Sequence, residues 1–276
     1  MKRLLIACVA LLLCSSVGFA DTLTTVHSYS GTVGVAVVGF AEPGSTSASG
    51  LFSVSGIPAG ASILYAGYYA DNYFNLPSPT ANFNGNSLGG PTATYTSDPN
   101  YNSWAWDVTP FVTGNGSYSV SSGAFSQNYG NELVVVYSWG GLPNGTVLIN
   151  EGAQDNGGGT MSTSTMFALA GGGSGTLFIA TGADDPFNTG EQIIFNGTVV
   201  GGPIDANLGN YASLFSLPVT TQAGANTVML TTTGDWYGWD LAVLYSTGST
   251  PVPEPGTMAL LAGGVSLLAA RLRRRA

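Results

Sequence analysis

The chain has almost nothing with which to carry a positive charge or form a thiol. Its 276 residues include six Lys plus Arg, and none of the six lies between Asp21 and Ala270. Lys2 and Arg3 stand at the start, and Arg271, Arg273, Arg274 and Arg275 at the end. The two cysteines, Cys8 and Cys14, both precede Asp21. The interior therefore has no disulfide framework, no Cys–His zinc site and no thiol nucleophile. All fifteen carboxylates fall between Asp21 and Glu254, so the body is an acidic block with no Lys or Arg to pair with. Those carboxylates must be solvated, hydrogen-bonded to backbone N–H groups or bound to metal ions. Such a body repels phosphate backbones, which argues against nucleic acid as a partner.

Catalytic groups are equally sparse. The single histidine, His27, sits in a Thr/Ser-rich stretch, and a Ser-His-Asp triad would need a distant carboxylate to position it. No nucleophile-elbow motif precedes a helix. Paired carboxylates could serve a glycosidase without histidine, and Glu132, Glu151 and Glu191 are the least turn-like acids, but no Asp-Thr-Gly or Asp-Ser-Gly motif accompanies them. The expectation is a protein that is not an enzyme, with a secreted carboxylate-only glycoside hydrolase as the distant alternative.

What is present is glycine, hydroxyl residues and short apolar runs. Forty glycines, and no segment with a 3.6-residue apolar period, predict short strands joined by tight turns. Leu133–Tyr137, Leu177–Ala180 and Leu241–Tyr245 read as buried strands, and Asn84-Gly85, Asn115-Gly116, Asn144-Gly145 and Asn196-Gly197 as turn signals. The body also repeats itself. Gly31-Thr32-Val33 recurs as Gly145-Thr146-Val147, Ala70-Asp71 as Ala183-Asp184, Phe83-Asn84-Gly85 as Phe195-Asn196-Gly197, and Glu132-Leu133 as Asp240-Leu241, in one order. The predicted fold is all-β, with two tandem β-sandwich units of jelly-roll or Ig-like type at 21–140 and 141–247. One larger jelly roll with strands exchanged between the halves is the competing layout.

The ends read as addresses. Lys2-Arg3, the apolar run Leu4–Leu13 and the small residues before the Ala20/Asp21 junction form a secretory signal peptide over 1–20. At the other end come a linker over 248–256, an apolar run from Thr257 to Ala270, and the arginine cluster, so 257–276 is expected to be a short transmembrane helix with its arginines cytoplasmic. Fourteen apolar residues are fewer than the ~20 of a full span.

The element Val252-Pro253-Glu254-Pro255, the short helix and the terminal arginines resemble the PEP-CTERM sorting signal of Gram-negative bacteria. The resemblance implies an exosortase as partner, cleavage near Pro253-Glu254-Pro255 after export through the secretion machinery, and transient anchoring in the inner membrane. It implies a host that makes extracellular polysaccharide or biofilm. Ser47–Phe52, Ile57–Tyr69, Asp107-Val108-Thr109 and Leu133–Tyr137 resemble an uncharacterised β-rich ectodomain of bacterial and archaeal surface proteins, a family that supplies no catalytic residues.

Two binding chemistries are legible. Asp184, Asp185 and Glu191 form an acidic, Gly-rich loop with Asp71 as the counterpart in the first unit, and hard oxygen ligands on short loops suit Ca2+. The other reading is that they cap their own turns. Trp104, Trp106, Trp236 and Trp239 stand beside Tyr and Asn and could stack on sugar rings, or could be core. The sequence thus points to an exported cell-surface or matrix protein with a structural or adhesive role, with a carbohydrate-binding module as the alternative. No cofactor is required, with Ca2+ the one metal the acids would suit.

Overall fold

The computed structural model describes residues 22–248 apart from 75–78, 98–99, 158–159, 185–189 and 235. In chain order the first strands are β1 (Thr24–Gly31), β2 (Val33–Val54), β3 (Ser62–Tyr73), β4 (Thr80–Phe83), β5 (Asn86–Gly89), β6 (Ala93–Ser97), β7 (Tyr101–Asp107) and β8 (Gly116–Ser138). They are followed by β9 (Gly145–Gly157), β10 (Thr160–Leu169), β11 (Gly173–Gly182), β12 (Gln192–Phe195), β13 (Thr198–Gly201), β14 (Ser213–Thr221), β15 (Gly224–Thr233) and β16 (Trp236–Thr247). A single 3-10 turn, Thr109–Phe111, is the only helical element among the described residues. The signal peptide, the sorting motif and the terminal helix expected at 257–276 lie outside the described residues. No helix among those described is long and apolar enough to cross a membrane.

Three antiparallel sheets carry these strands. One runs β1-β9-β16-β11-β14, the second β10-β15-β12-β13, and the third β5-β4-β8-β3-β7-β6 with β2 along β8. The third sheet is two layers made continuous by β2 and β8, which are 22 and 23 residues long. Their first pairing block, Val33–Ala41 with Gly130–Ser138, lies beside β3. After register shifts between Ala41 and Ser47, the second block, Ser47–Val54 with Gly116–Gly123, lies beside β4. A bulge bends a strand and raises its twist, which is what lets one strand serve two layers. The pairing order β2-β8-β3-β7 recurs as β9-β16-β11-β14, and the outer order β2-β8-β4-β5 as β10-β15-β12-β13.

Four layers enclose three cores. Phe52, Phe83 and Val120 of one outer layer pack on Tyr68, Trp104, Trp106 and Leu133 of the layer inside it. Phe167, Ile193 and Leu230 of the other outer layer pack on Ile179, Trp239 and Leu244. Between the two inner layers, Tyr69, Val134 and Val136 meet Val147, Ile149, Leu241 and Val243. The inner strands are therefore buried on both faces. That is why Leu133–Val136 and Leu241–Leu244 are unbroken apolar runs, while the outer strands alternate, as in the exposed–buried pattern of Thr80–Phe83. Each large aliphatic residue so enclosed contributes about 1.5–3 kcal/mol.

Two turn signals act as read. Asn84 (φ 52) with Gly85 (φ 79) joins β4 to β5, and Asn196 (φ 49) with Gly197 (φ 79) joins β12 to β13, the positive φ pair that a type I′ turn needs. Asn115 does something else: its amide accepts from Ile57 N–H and donates to Ile57 C=O, tying two segments together. The N-terminal strand also departs from the expected layout. β1 falls within 21–140, yet it pairs with β9 beyond residue 140, from Thr24 opposite Glu151 to Gly31 opposite Gly145.

Close approach of the inner layers requires bare backbone at Gly238, where an added Cβ would run into the Tyr101 ring. Gly238→Ala is expected to destabilise the fold by about 1–3 kcal/mol in chemical denaturation. Gly123→Ala, where an added Cβ meets nothing, should stay within about 0.5 kcal/mol of the natural chain.

Candidate functional site: a carboxyl cluster between the inner sheets

At one end of the inner interface the apolar core gives way to acids. Asp71 follows Tyr69 by two residues on β3, and Glu132 precedes Val134 by two on β8, so both project from the face that packs on the opposite sheet. Asp240 lies on β16 at a register shift, between Trp239 paired with Gln154 and Leu241 paired with Glu151. The three carboxyls are 1 % exposed. Tyr101 and Ser103 of β7 complete the surroundings, with Ser103 opposite Asp71 in the ladder. Backbone at Gly130 and Gly182 leaves the room: a Cβ at Gly130 would crowd both Glu132 Oε1 and Asp71 Oδ2, and one at Gly182 would collide with the Asp71 carboxyl.

The three acids are not equally provided for. Asp71 Oδ1 accepts the N–H groups of Tyr129 and Gly130, both at 2.8 Å, and Oδ2 accepts the Tyr101 hydroxyl at 3.2 Å. Asp71 thereby fixes the middle of β8, assisted by Asn72 Oδ1, which accepts the N–H groups of Ser126 and Gln127. Neither oxygen of Glu132 has a hydrogen-bond partner, and neither oxygen of Asp240 has one of good geometry. Burial pushes Asp71 up to about 7 against the pull of its N–H and hydroxyl donors. Glu132 is raised well above the carboxylate range by burial and then by Asp240 and Asp71, and Asp240 by burial and then by Asp71. The N–H groups of residues 240 and 241 and the nearby Ser103 hydroxyl pull Asp240 partly back. Leaving such a group ionised and unpaired in the interior would cost several kcal/mol. Holding a carboxyl of ordinary pKa neutral at pH 7 costs about 4 kcal/mol. Either way the cluster is a standing burden on stability unless something else neutralises it.

A second acid, Glu151 on β9, shows the satisfied alternative. Its Oε1 accepts the Tyr69 hydroxyl at 2.6 Å and its Oε2 the Tyr95 hydroxyl at 2.8 Å. His27 Nε2 is 3.5 Å from Oε1, and the His27 ring lies 4.2 Å from that of Tyr65. The body's one histidine thus stands against a buried carboxylate.

The residues singled out by sequence are placed as follows. Asp184 is buried, and its Oδ2 accepts Ala206 N–H at 2.6 Å and the Ser213 hydroxyl at 3.1 Å, which organises the loop before β14. Glu191 is buried and Asp185 lies outside the described residues. Among the described residues no group of three or more His, Cys, Asp or Glu side chains could hold a metal ion. Trp104 and Trp106 do share a face of β7, but it is the core face; with Trp239 they are 0–1 % exposed and offer no ring to a sugar. Trp236 is 46 % exposed and packs edge-on against Tyr73, next to exposed Phe74. Three surface clefts of about 410 to 630 Å3 are lined by Ser, Thr, Asn and apolar residues without a carboxylate or histidine. Sequence reasoning missed Glu132 and Asp240 as a pair. The signal was there: each heads an apolar strand, and the internal repeat aligns them.

The burden has a pH signature. The folded chain holds protons on Glu132 and Asp240 that the unfolded chain releases at about pH 4, so these groups lower stability progressively as pH rises above that value. With divalent ions removed by chelation, Glu132→Gln should gain Tm relative to the natural chain as pH is raised from 4 to 8. A Tm difference that stays constant across that range would contradict the account.

No curated protein matches the chain. Among solved structures it is similar to a conserved protein of unknown function, PA5104, from Pseudomonas aeruginosa PAO1, at 12 % identity and a TM-score of 0.32, covering 84 % of this chain and 96 % of that one. It is also similar to a β-porphyranase of glycoside hydrolase family 86 from Bacteroides plebeius, at 12 % identity and a TM-score of 0.25, covering 73 % of this chain and 39 % of that one. Similarities this weak carry no argument about activity. Two family models match: the PEP-CTERM protein-sorting motif over residues 251–275, and a protein family of unknown function, DUF3344, over residues 18–246. The sorting motif marks an exported protein processed by an exosortase, and the body makes the chain a member of the DUF3344 family.

Proposed function

We propose that this protein is a non-enzymatic structural or adhesive component of the cell surface or of a biofilm or polysaccharide matrix. Its body would act as two rigid sandwich units displayed outside the inner membrane. The sorting motif at 251–275 carries the reading. An exported protein freed from its anchor works where the body alone must persist. A body without Lys or Arg between Asp21 and Ala270 offers trypsin-like proteases no cleavage site.

A second reading, capture of a defined glycan, is favoured by one observation. Phe74 and Trp236 are both exposed and both pack edge-on against Tyr73, with ring centroids 4.5 and 6.1 Å from it. Stacking on such rings is independent of substrate charge, which suits a body that would repel anions.

Deleting residues 252–276 should leave the body folded while abolishing exosortase processing. In the natural chain, the mature C-terminus measured by intact mass should fall at Pro253–Pro255. Finding the full-length chain intact in the cytosol would overturn the reading. On a glycan array, Trp236→Ala should abolish any specific binding without loss of Tm. Trp104→Ala should cost about 3–5 kcal/mol of stability through the core.

A further inference from the structure

We propose that each outer layer carries a binding site for neutral polysaccharide on its solvent face, and that the body bridges two polymer chains through this pair of sites. Two of the surface clefts lie on these faces. One, of about 630 Å3, is lined by β2, β8 and β4, and the other, of about 410 Å3, by β10, β15 and β12. These are corresponding strands of the two outer layers. A row of three polar side chains crosses each cleft. In the first, Ser121 is paired with Ser49 on one side and with Asn82 on the other. In the second, Thr231 is paired with Ser162 and with Gln192. Both rows thus read hydroxyl, hydroxyl, carboxamide across the corresponding strands, the second row lying one same-face step further from its hairpin turn. Alternation turns the rows outward, since Val120, Ala81 and Phe83 beside the first and Leu230 and Ile193 beside the second are buried. The next row toward the turn supplies an apolar side chain, Leu51 at 62 % exposure in one cleft and Met229 in the other.

This pattern fits a sugar polymer. A pyranose chain presents hydroxyls along its rim and C–H groups on its ring faces. Ladder neighbours stand about 4.8 Å apart, so each row offers donors and acceptors in sequence along such a rim, with an apolar side chain beside them for a ring face. Charge sets the class of polymer. Neither cleft is lined by a carboxylate or a cation, and the body around them is acidic without Lys or Arg between Asp21 and Ala270. A uronate, sulfated or phosphorylated polymer would meet repulsion and no counter-charge, and a neutral one meets neither. The three cores stack the layers as outer, inner, inner, outer, so the two sites face opposite ways, about 30 Å apart at the spacing of packed sheets. A short oligosaccharide cannot reach both, whereas two polymer strands can, one on each face. Single hydroxyl contacts are weak, so retention depends on repetition along the polymer and on the second site. The bridging role rests on the matrix reading proposed above; the binding itself does not, and it uses neither Phe74 nor Trp236.

Native gels containing mixed-linkage β-glucan, galactomannan or alginate, run with the purified chain, test the binding, and turbidity on mixing with each polymer tests the bridging. Migration should slow in at least one neutral gel and not in alginate, and the polymer that slows it should cloud on mixing. Asn82→Ala or Gln192→Ala alone should abolish clouding and weaken retention about 100-fold through loss of the second site. The double variant should migrate as in a polymer-free gel. Both side chains are exposed, so Tm should not move in any of the three. Trp236→Ala should leave retention and clouding intact. Four results would overturn the proposal: no retention in either neutral gel; retention in alginate stronger than in both; a double variant retained like the natural chain, or clouding that persists in both single variants; or retention lost in Trp236→Ala, which would move the site to the aromatic rings. A chain that clouds neutral polymer but is absent from its host's matrix fraction would support the sites and overturn the matrix reading instead.

Discussion

Everything in this molecule is arranged around the want of a positive charge. A buried carboxylate is ordinarily met by an arginine or lysine, and here each must be met by something else. Asp71 and Asp184 are met by backbone N–H groups and hydroxyls, which turns them into clamps on irregular chain: the middle of β8 and the loop before β14. Glu151 is met by two tyrosine hydroxyls and the single histidine. Asp240 has only the weak help of the Ser103 hydroxyl and nearby N–H groups, and Glu132 has no partner. The acids form a graded series, from carboxyls held by several donors to Glu132, which has none.

The second governing constraint is that the inner layers are covered on both sides. A strand in such a layer needs apolar residues at every position, so an acid there faces a core whichever way it points. In the outer layers the same acid would reach water. This accounts for the burial of the carboxyl cluster. It also accounts for the glycines around the cluster: at Gly182 and Gly238 the opposite layer approaches so closely that the Asp71 carboxyl and the Tyr101 ring occupy the place of a side chain.

How much of this was legible in the sequence follows from the same two constraints. The strands Leu133–Tyr137, Leu177–Ala180 and Leu241–Tyr245 were readable because burial on both faces leaves an unbroken apolar run. Asn84-Gly85 and Asn196-Gly197 were readable because only certain residues tolerate paired positive φ. The length of β2 and β8 was not, since their middles, Ala41–Gly50 and Ser121–Gly130, are rich in Gly and Ser and resemble loops. Propensity yields there to the long-range pairing of the two strands. The pairing of β1 with β9 spans more than a hundred residues of chain and leaves no local trace. Alternation at Trp104-Ala105-Trp106 correctly put both rings on one face, but periodicity cannot say which face meets solvent.

The internal correspondence bears on why the two unprovided acids meet at all. It aligns Glu132 with Asp240, one at the head of the apolar run of β8 and the other at the head of that of β16. Each strand is central in its inner layer, and the layers pack face to face. Equivalent positions on two such layers are brought opposite one another by the packing itself, so an acid tolerable in either layer alone becomes a pair when the layers close. Burial raises both carboxyls, and Asp240 raises Glu132 further. Replacement of either acid by a small apolar residue would remove the conflict at little cost to the ladder hydrogen bonds, which are made by backbone. That both are carboxyls, in a chain with no Lys or Arg to spare for them, is the feature that hydrophobic packing alone does not explain.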